Sequence, residues 1–304
     1  MKKRAVALTF ASLLGAAPGD ELMVRADDWV PATIEGQPVR LRVDSAGLSR
    51  LVLSLAAVER LDIKPAPLFG KASLQLAGRK ASAGFNRPLD FAIDGRATKG
   101  RGFWLKAADL GDAEARIGPW GVPQARVVFA LPGPSDGAQS YRFPLGGALN
   151  SVAVALVSFN GQPVPLSFEA GGDRALPLVS AALGAMLAQA YDGHVSGASW
   201  DEPILVGITR PVRLLTLAKP LEFGPFRFTR LAVRVPDRVD AAGRGPAIRE
   251  AGEDDPEEVT VSAKTKGKPI FTMLVPGRAL RGCARLGFDK VTKMIELNCR
   301  PQGN

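Results

Sequence analysis

One histidine, two cysteines and two tyrosines stand in a chain of 304 residues. The lone histidine, His194, excludes a histidine-clustered metal centre and a serine–histidine triad on any other histidine. In "DGHVSG" it reads as a surface-loop residue. With so little imidazole and sulfur, neither a metal nor another cofactor is expected. Aromatic residues make up 7% of the chain, too few among scattered cations to build a stacking platform for nucleic acid. The formal charge of +9 therefore reads as a solvated basic surface. No stretch reaches the roughly 18 uncharged apolar residues of a membrane helix. What is abundant is turn chemistry and apolar bulk. There are 33 Gly and 24 Pro, and 46% of residues are hydrophobic, which is the composition of a folded, turn-rich protein.

The N-terminus reads "MKKRAVALTFASLLGAAPGDE". Lys2, Lys3 and Arg4 precede an apolar run from Ala5 to Ala17, and small residues follow. This is the pattern of a secretory signal peptide over residues 1–19. Removing its three cations takes the net charge from +9 to +6. The mature protein is expected to be exported, to the periplasm or the extracellular space, without a membrane span.

The body of the chain repeats itself. "GQPVRLRVDSAGLSRLVLSLAA" (Gly36 to Ala57) aligns without gaps on "GQPVPLSFEAGGDRALPLVSAA" (Gly161 to Ala182), with 10 of 22 positions identical at an offset of 125. About one or two matches are expected from composition. "IGPW" (Ile117 to Trp120) pairs in order with "FGPF" (Phe223 to Phe226). "PLGGAL" (Pro144 to Leu149) pairs with "VPGRAL" (Val275 to Leu280). A duplicated unit is expected. Each copy reads mostly as strands, short alternating runs bounded by Gly, Pro and Asp, such as "KASLQLAG", "ARVVFAL", "PILVGI" and "RLLTLAK". Each copy also has one helical stretch after the shared motif, "SLAAVERL" and "VSAALGAMLAQAY". Residues 236–268 are polar and dense in charge, and read as a mobile surface insertion.

Near the C-terminus, "CARLGFD" and "MIELNC" flank "KVTK" and read as a hairpin. A turn centred on Val291 places Cys283 opposite Cys299. Opposed residues on antiparallel strands lie within disulfide range, and an exported chain meets an oxidising compartment. A disulfide between them is expected; two buried free thiols are the alternative.

"VDSAGLSRLVLSLAAVERLDI" resembles the aspartate-loop signature of the retropepsin and pepsin family of aspartic peptidases. "MLVPGRALRGCARLGFDKVTKMIELNC" resembles that family's apolar-Gly turn, short helix and final hairpin, with "PLGGAL" as a shortened partner in the first copy. The resemblance implies a mainly β protein of two tandem retropepsin-like β-barrel lobes with short helices, residues 29–150 and 151–304, in a monomer. It implies one catalytic carboxylate per lobe, Asp44 and Glu169. Two carboxylates about 3 Å apart share one proton, so that one activates water and the other hydrogen-bonds the scissile carbonyl. Ser45 and the backbone at Ala46, Gly47, Gly171 and Gly172 would fix that geometry, with Gly146 and Gly277 in the supporting turns and Asp173 a further candidate acid. This chain departs from the pattern. Ala46 stands where a Gly is expected, Glu169 where an Asp is, and Ala170 where a hydroxyl is. A misplacement of about 1 Å costs a factor of about 100 in rate.

Plainer readings stand beside these. Asp44 at a strand end can accept backbone N–H bonds in a turn. Glu169 can be a buried acid paired with an arginine, or a solvated strand end. "GGD" (Gly171 to Asp173) can be a tight turn. Three functions follow: a pseudopeptidase binding extended peptide or protein in the inter-lobe cleft, an active acid endopeptidase using Asp44 and Glu169, or a structural envelope protein using the fold as scaffold.

Overall fold

The computed structural model describes residues 20–25, 28–76, 79–147, 151–234 and 269–301. The expected leader (1–19) and the expected insertion (236–268) lie outside the described residues.

The protein is mainly β. Strand β1 (Glu21–Arg25) precedes the first half, which holds β2 (Val30–Ile34), β3 (Gln37–Val43), β4 (Leu51–Leu53), helix α1 (Leu55–Arg60), β5 (Lys71–Leu76), β6 (Arg79–Ile93), β7 (Arg96–Leu105) and β8 (Ala115–Ile117). Two further strands follow, β9 (Arg126–Ala130) and β10 (Gln139–Gly146). The second half holds β11 (Val154–Phe159), β12 (Gln162–Phe168), β13 (Leu178–Val179), α2 (Ala181–Ala190), β14 (His194–Leu205), β15 (Ile208–Phe223), β16 (Phe226–Arg234) and β17 (Met273–Val275). The chain ends in the hairpin β18 (Cys283–Asp289) and β19 (Met294–Cys299).

The two halves share strand order and direction, and the pairing that closes a barrel is found in the first. In the first the strand order is β2-β3-β8-β4-β7-β6-β5, and β2 also pairs with β6, closing a six-strand barrel. The second runs β11-β12-β17-β13-β16-β15-β14, the same order position by position. Directions match too: β3 is parallel to β8 as β12 is to β17, and β4 is parallel to β7 as β13 is to β16. Local chemistry explains the match. Glu35-Gly36 and Asn160-Gly161 have positive φ at both turn residues (48° and 77°; 49° and 76°), the two-residue turn whose twist suits a hairpin. The Gly is what makes the second position accessible. Alternation in β3 and β12 then buries Val39, Leu41 and Val43 in one half and Val164, Leu166 and Phe168 in the other. The side chains of Ser54 and Ser180 cap the first turns of α1 and α2 by accepting the Ala57 and Leu183 N–H groups. Burying each Leu, Val or Phe of these faces contributes about 1.5–3 kcal/mol relative to exposure.

A further set of strands, β1-β9-β18-β19-β10, extends the sheet of the second half, continuing into β11 through β10. Phe129 and Phe288 meet edge to face on it at 5.9 Å between ring centroids. Cys283 and Cys299 are directly opposed there and form a disulfide. The route to that register differs from the expected symmetric turn about Val291. From Arg285 onward the pairs centre between Val291 and Thr292, and a bulge between Cys283 and Arg285 brings the cysteines back into line.

Two landmark pairings of the sequence are corrected. "FGPF" is the β15–β16 hairpin turn, so its counterpart is the Asp94-Gly95 turn between β6 and β7, not "IGPW". "VPGRAL" corresponds instead to "IGPWGV". Val275 and Ile117 end equivalent strands, and each is followed by a 3-10 turn, Gly277–Gly282 and Pro119–Gly121. "PILVGI" is not one strand but the β14–β15 turn. Val206 is forced to φ 46°, unusual for a β-branched residue. Contacts with the other half hold it there. Its carbonyl accepts the Asp109 N–H, and its side chain packs on the buried cluster of Val52, Phe103, Leu105, Leu110 and Ala113.

Candidate functional site

Asp44 and Glu169 each stand one residue past the end of an equivalent strand, β3 and β12. Each N–H donates to an equivalent carbonyl, Asp44 to Ile117 O and Glu169 to Val275 O, both at 2.9 Å. After each acid the backbone turns back under the chain that follows the neighbouring parallel strand. In each half a glycine permits a close approach. A Cβ on Gly118 would lie 2.2 Å from Gly47 O, and one on Gly277 would lie 2.8 Å from Gly171 O. Any side chain there would push these loops apart. Gly118 therefore fills in the first half the part that "PLGGAL" was expected to fill. Gly146 lies instead in β10, paired with Val154, where its carbonyl accepts the Trp120 indole N–H.

The two loops are tied to each other. Ser45 is buried at 2% exposure, and its Oγ accepts the N–H of Ala170 at 2.7 Å across 125 residues of sequence. The duplicated arrangement provides for a reciprocal bond, but Ala170 has no hydroxyl to accept one. The neighbouring strands are joined as well, by a bridge between Leu48 and Val152 and by the Ser49 N–H donating to Ser151 O. Asp44 and Glu169 are the chain neighbours of the linked pair Ser45 and Ala170, so both carboxylates sit at this junction.

Their environments differ. Asp44 Oδ1 accepts the Ala46 N–H at 3.0 Å, and its other oxygen lies 3.9 Å from the Arg116 guanidinium. Burial raises its pKa above the usual aspartate value, with Arg116 and the Ala46 N–H opposing more weakly. Glu169 Oε2 accepts Arg174 Nε at 3.0 Å. Burial raises Glu169 above the usual glutamate value. Arg174 opposes, and the negative charges of Asp44 and Glu202 add smaller upward pushes. Arg174 is itself only 10% exposed in its side chain. It also engages Glu202 in an ion pair and donates to Pro203 O at 2.7 Å, so the β14–β15 hairpin is fastened over Glu169. Trp200 Nε1 completes the cluster by donating to Glu202 Oε2 at 2.9 Å.

Of the sequence candidates, Asp44, Ser45, Ala46, Gly47, Glu169, Gly171, Gly172 and Gly277 come together at the junction. Asp173 is exposed. Arg116, Arg174 and Glu202 were not singled out. Arg174 directly follows "GGD", and it is the arginine partner that the buried-acid reading of Glu169 called for. Arg116 precedes the Ile117 carbonyl that receives Asp44, but only the correct pairing of "IGPWGV" reveals it. Among the described residues no group of His, Cys, Asp and Glu is arranged to hold a metal ion. No helix among them is long and apolar enough to cross a membrane. No protein-family model matches the chain, and no curated protein does.

Chemically, the site presents two half-buried acids, each with an arginine beside it. An arginine on each carboxylate favours two separate anions over one shared proton, while burial works the other way.

Two outcomes follow. Ser45→Ala leaves the buried Ala170 N–H without an acceptor, and is expected to lower unfolding free energy by about 1–3 kcal/mol in urea titrations. Asp44 has a folded pKa above its unfolded one, so the native state holds more protons between the two values and stability falls as pH rises through that window. Asp44→Asn is therefore expected to gain in melting temperature relative to the parent chain on going from about pH 3 to pH 7. A gain that shrinks over that range means that Arg116, not burial, governs Asp44.

Proposed function

We propose that this is an exported protein of aspartic-peptidase-like build that binds extended peptide or protein in the cleft between its halves without cutting it. The observation that carries the reading is the engagement of Arg174. It holds Glu169 Oε2 while also gripping Glu202 and the Pro203 carbonyl. A hydrolytic pair needs one carboxylate free to hold a proton for the scissile carbonyl and another free to activate water. Here the longer Glu169 side chain is turned into an ion pair, and Arg116 stands beside Asp44. Removing the catalytic geometry leaves the binding geometry intact, because extended chain is held through backbone hydrogen bonds at strand edges and loops. The matching halves and their linked loops support a cleft of this kind. The disulfide between Cys283 and Cys299 supports export, since such bonds persist outside the cytosol. A monomer is sufficient, as both loops come from one chain.

Active hydrolysis by Asp44 and Glu169 at acidic pH is the second reading. It is favoured by burial, which raises both carboxylates and so retains a proton in the pair. One assay separates the two. The mature chain is incubated with fluorescently labelled denatured casein from about pH 3 to pH 7, beside Asp44→Asn. Saturable binding by polarisation, with no new termini by mass spectrometry, is the expected result. Acid-optimal cleavage that Asp44→Asn abolishes overturns it in favour of the enzyme. Neither binding nor cleavage leaves the fold as an envelope scaffold.

A further inference from the structure

The first half carries a second feature away from the two acids. Strands β4, β7 and β6 are neighbours, and side chains alternate between the barrel interior and the outer face. Val52 is aligned with Phe103, and Phe103 with Asn86. Stepping by two along β7 puts Arg101 on that same outer face, and Arg50, directly before β4, lies beside it. The apolar end of the face, Val52, Phe103 and Leu105, is covered by Leu110, Ala113 and the Val206 tip of the other half. The other end opens into a cavity of about 410 Å³ lined by Arg50, Phe69, Asn86, Arg101 and Phe103.

The lining is organised. Asn86 Nδ2 donates to Phe69 O and Lys71 O, both at 3.3 Å, which turns its Oδ1 outward. That oxygen accepts both Nε and Nη2 of Arg101, so the guanidinium plane is fixed before any ligand arrives. Arg50 lies 6.0 Å from the Phe103 ring centroid, a cation over an aromatic face. Phe69 is 89% exposed, at φ 58°, in a conformation uncommon for an aromatic residue. Two guanidiniums and two phenyl rings line one opening, and none of its described lining residues is acidic.

We propose that this cavity is a binding site for an organic carboxylate carrying an apolar, preferably aromatic, body. The carboxylate would take charge-assisted hydrogen bonds from the arginines, and the body would lie against Phe69 and Phe103. The proposal does not depend on what the Asp44–Glu169 junction does.

The test uses the mature chain and calorimetric titration with 3-phenylpropionate, 3-phenylpropionamide and acetate. Saturable binding of 3-phenylpropionate is expected, weakened by salt, with the amide and acetate each weaker by about tenfold or more. Arg101→Gln and Arg50→Gln are each expected to weaken it by a similar factor, with melting curves confirming that the variants fold. Arg101→Lys keeps the charge but loses the planar fork, and is expected to fall between Gln and the parent; it also serves if Arg101→Gln does not fold. N-acetyl-Phe-Asp-amide and N-acetyl-Asp-Phe then distinguish a side-chain carboxylate from a chain-terminal one as the natural source. Equal binding of acid and amide, the same affinity in all three variants, or no saturable binding would overturn the proposal.

Discussion

A single hydrogen bond, from the Ala170 N–H to Ser45 Oγ at 2.7 Å, ties the two acid-bearing loops to each other. It is short, buried and bridges halves that otherwise fold around separate sets of strands. In a duplicated protein the natural expectation is a reciprocal pair of such bonds. Alanine at position 170 leaves one. The remaining bond therefore bears more of the register between Asp44 and Glu169, together with the Leu48–Val152 bridge and the strands beneath. The cost of losing it is that of a stranded buried donor, which exceeds the net gain of an ordinary hydrogen bond.

The same substitution pattern alters the charges. Where the first half keeps Asp44 and Ser45, the second has Glu169 and Ala170, and the longer acid reaches Arg174. That arginine is almost fully enclosed and has three partners, Glu169, Glu202 and Pro203 O. Breaking a buried ion pair by removing one partner is far more damaging than the pair's net contribution suggests, so the arrangement is self-locking. The β14–β15 hairpin is fastened twice near its turn, by Arg174 at Glu202 and Pro203 and by Asp109 at Val206. Ion-paired in this way, Glu169 is poorly placed to pass a proton, which is what the proposed non-cutting role requires.

How much of this was legible in the sequence depended on the range of the interaction. The strands that follow Gly36 and Gly161, the helical stretches after the shared motif and the facing cysteines are local, and periodicity and turn chemistry revealed them. The gap-free alignment at an offset of 125 put Asp44 and Glu169 at equivalent places. The weaker landmarks failed for a physical reason. "IGPW" and "FGPF" share Gly-Pro because both occupy tight turns, and turn chemistry does not say which turn. Val206 was misread because contacts with Asp109 and the first-half core override its preference for extended backbone. Arg116 was missed because an ion pair between distant segments leaves no periodic trace, and Arg174 because a loop residue five positions on has no periodicity that turns it back to Glu169.

The most direct measurement is the titration of the Glu169 carboxyl by carbon-detected NMR, in the parent chain and in Asp44→Asn. If each acid is governed by its own burial and its own arginine, the Glu169 midpoint lies above the usual glutamate value in both proteins and falls only slightly when Asp44 is neutralised. If the two acids share a proton as a hydrolytic pair, their titrations are coupled by more than about one pH unit, and Asp44→Asn moves the Glu169 midpoint down by at least that much. The small shift is the result expected of a binding cleft. The large one would contradict it.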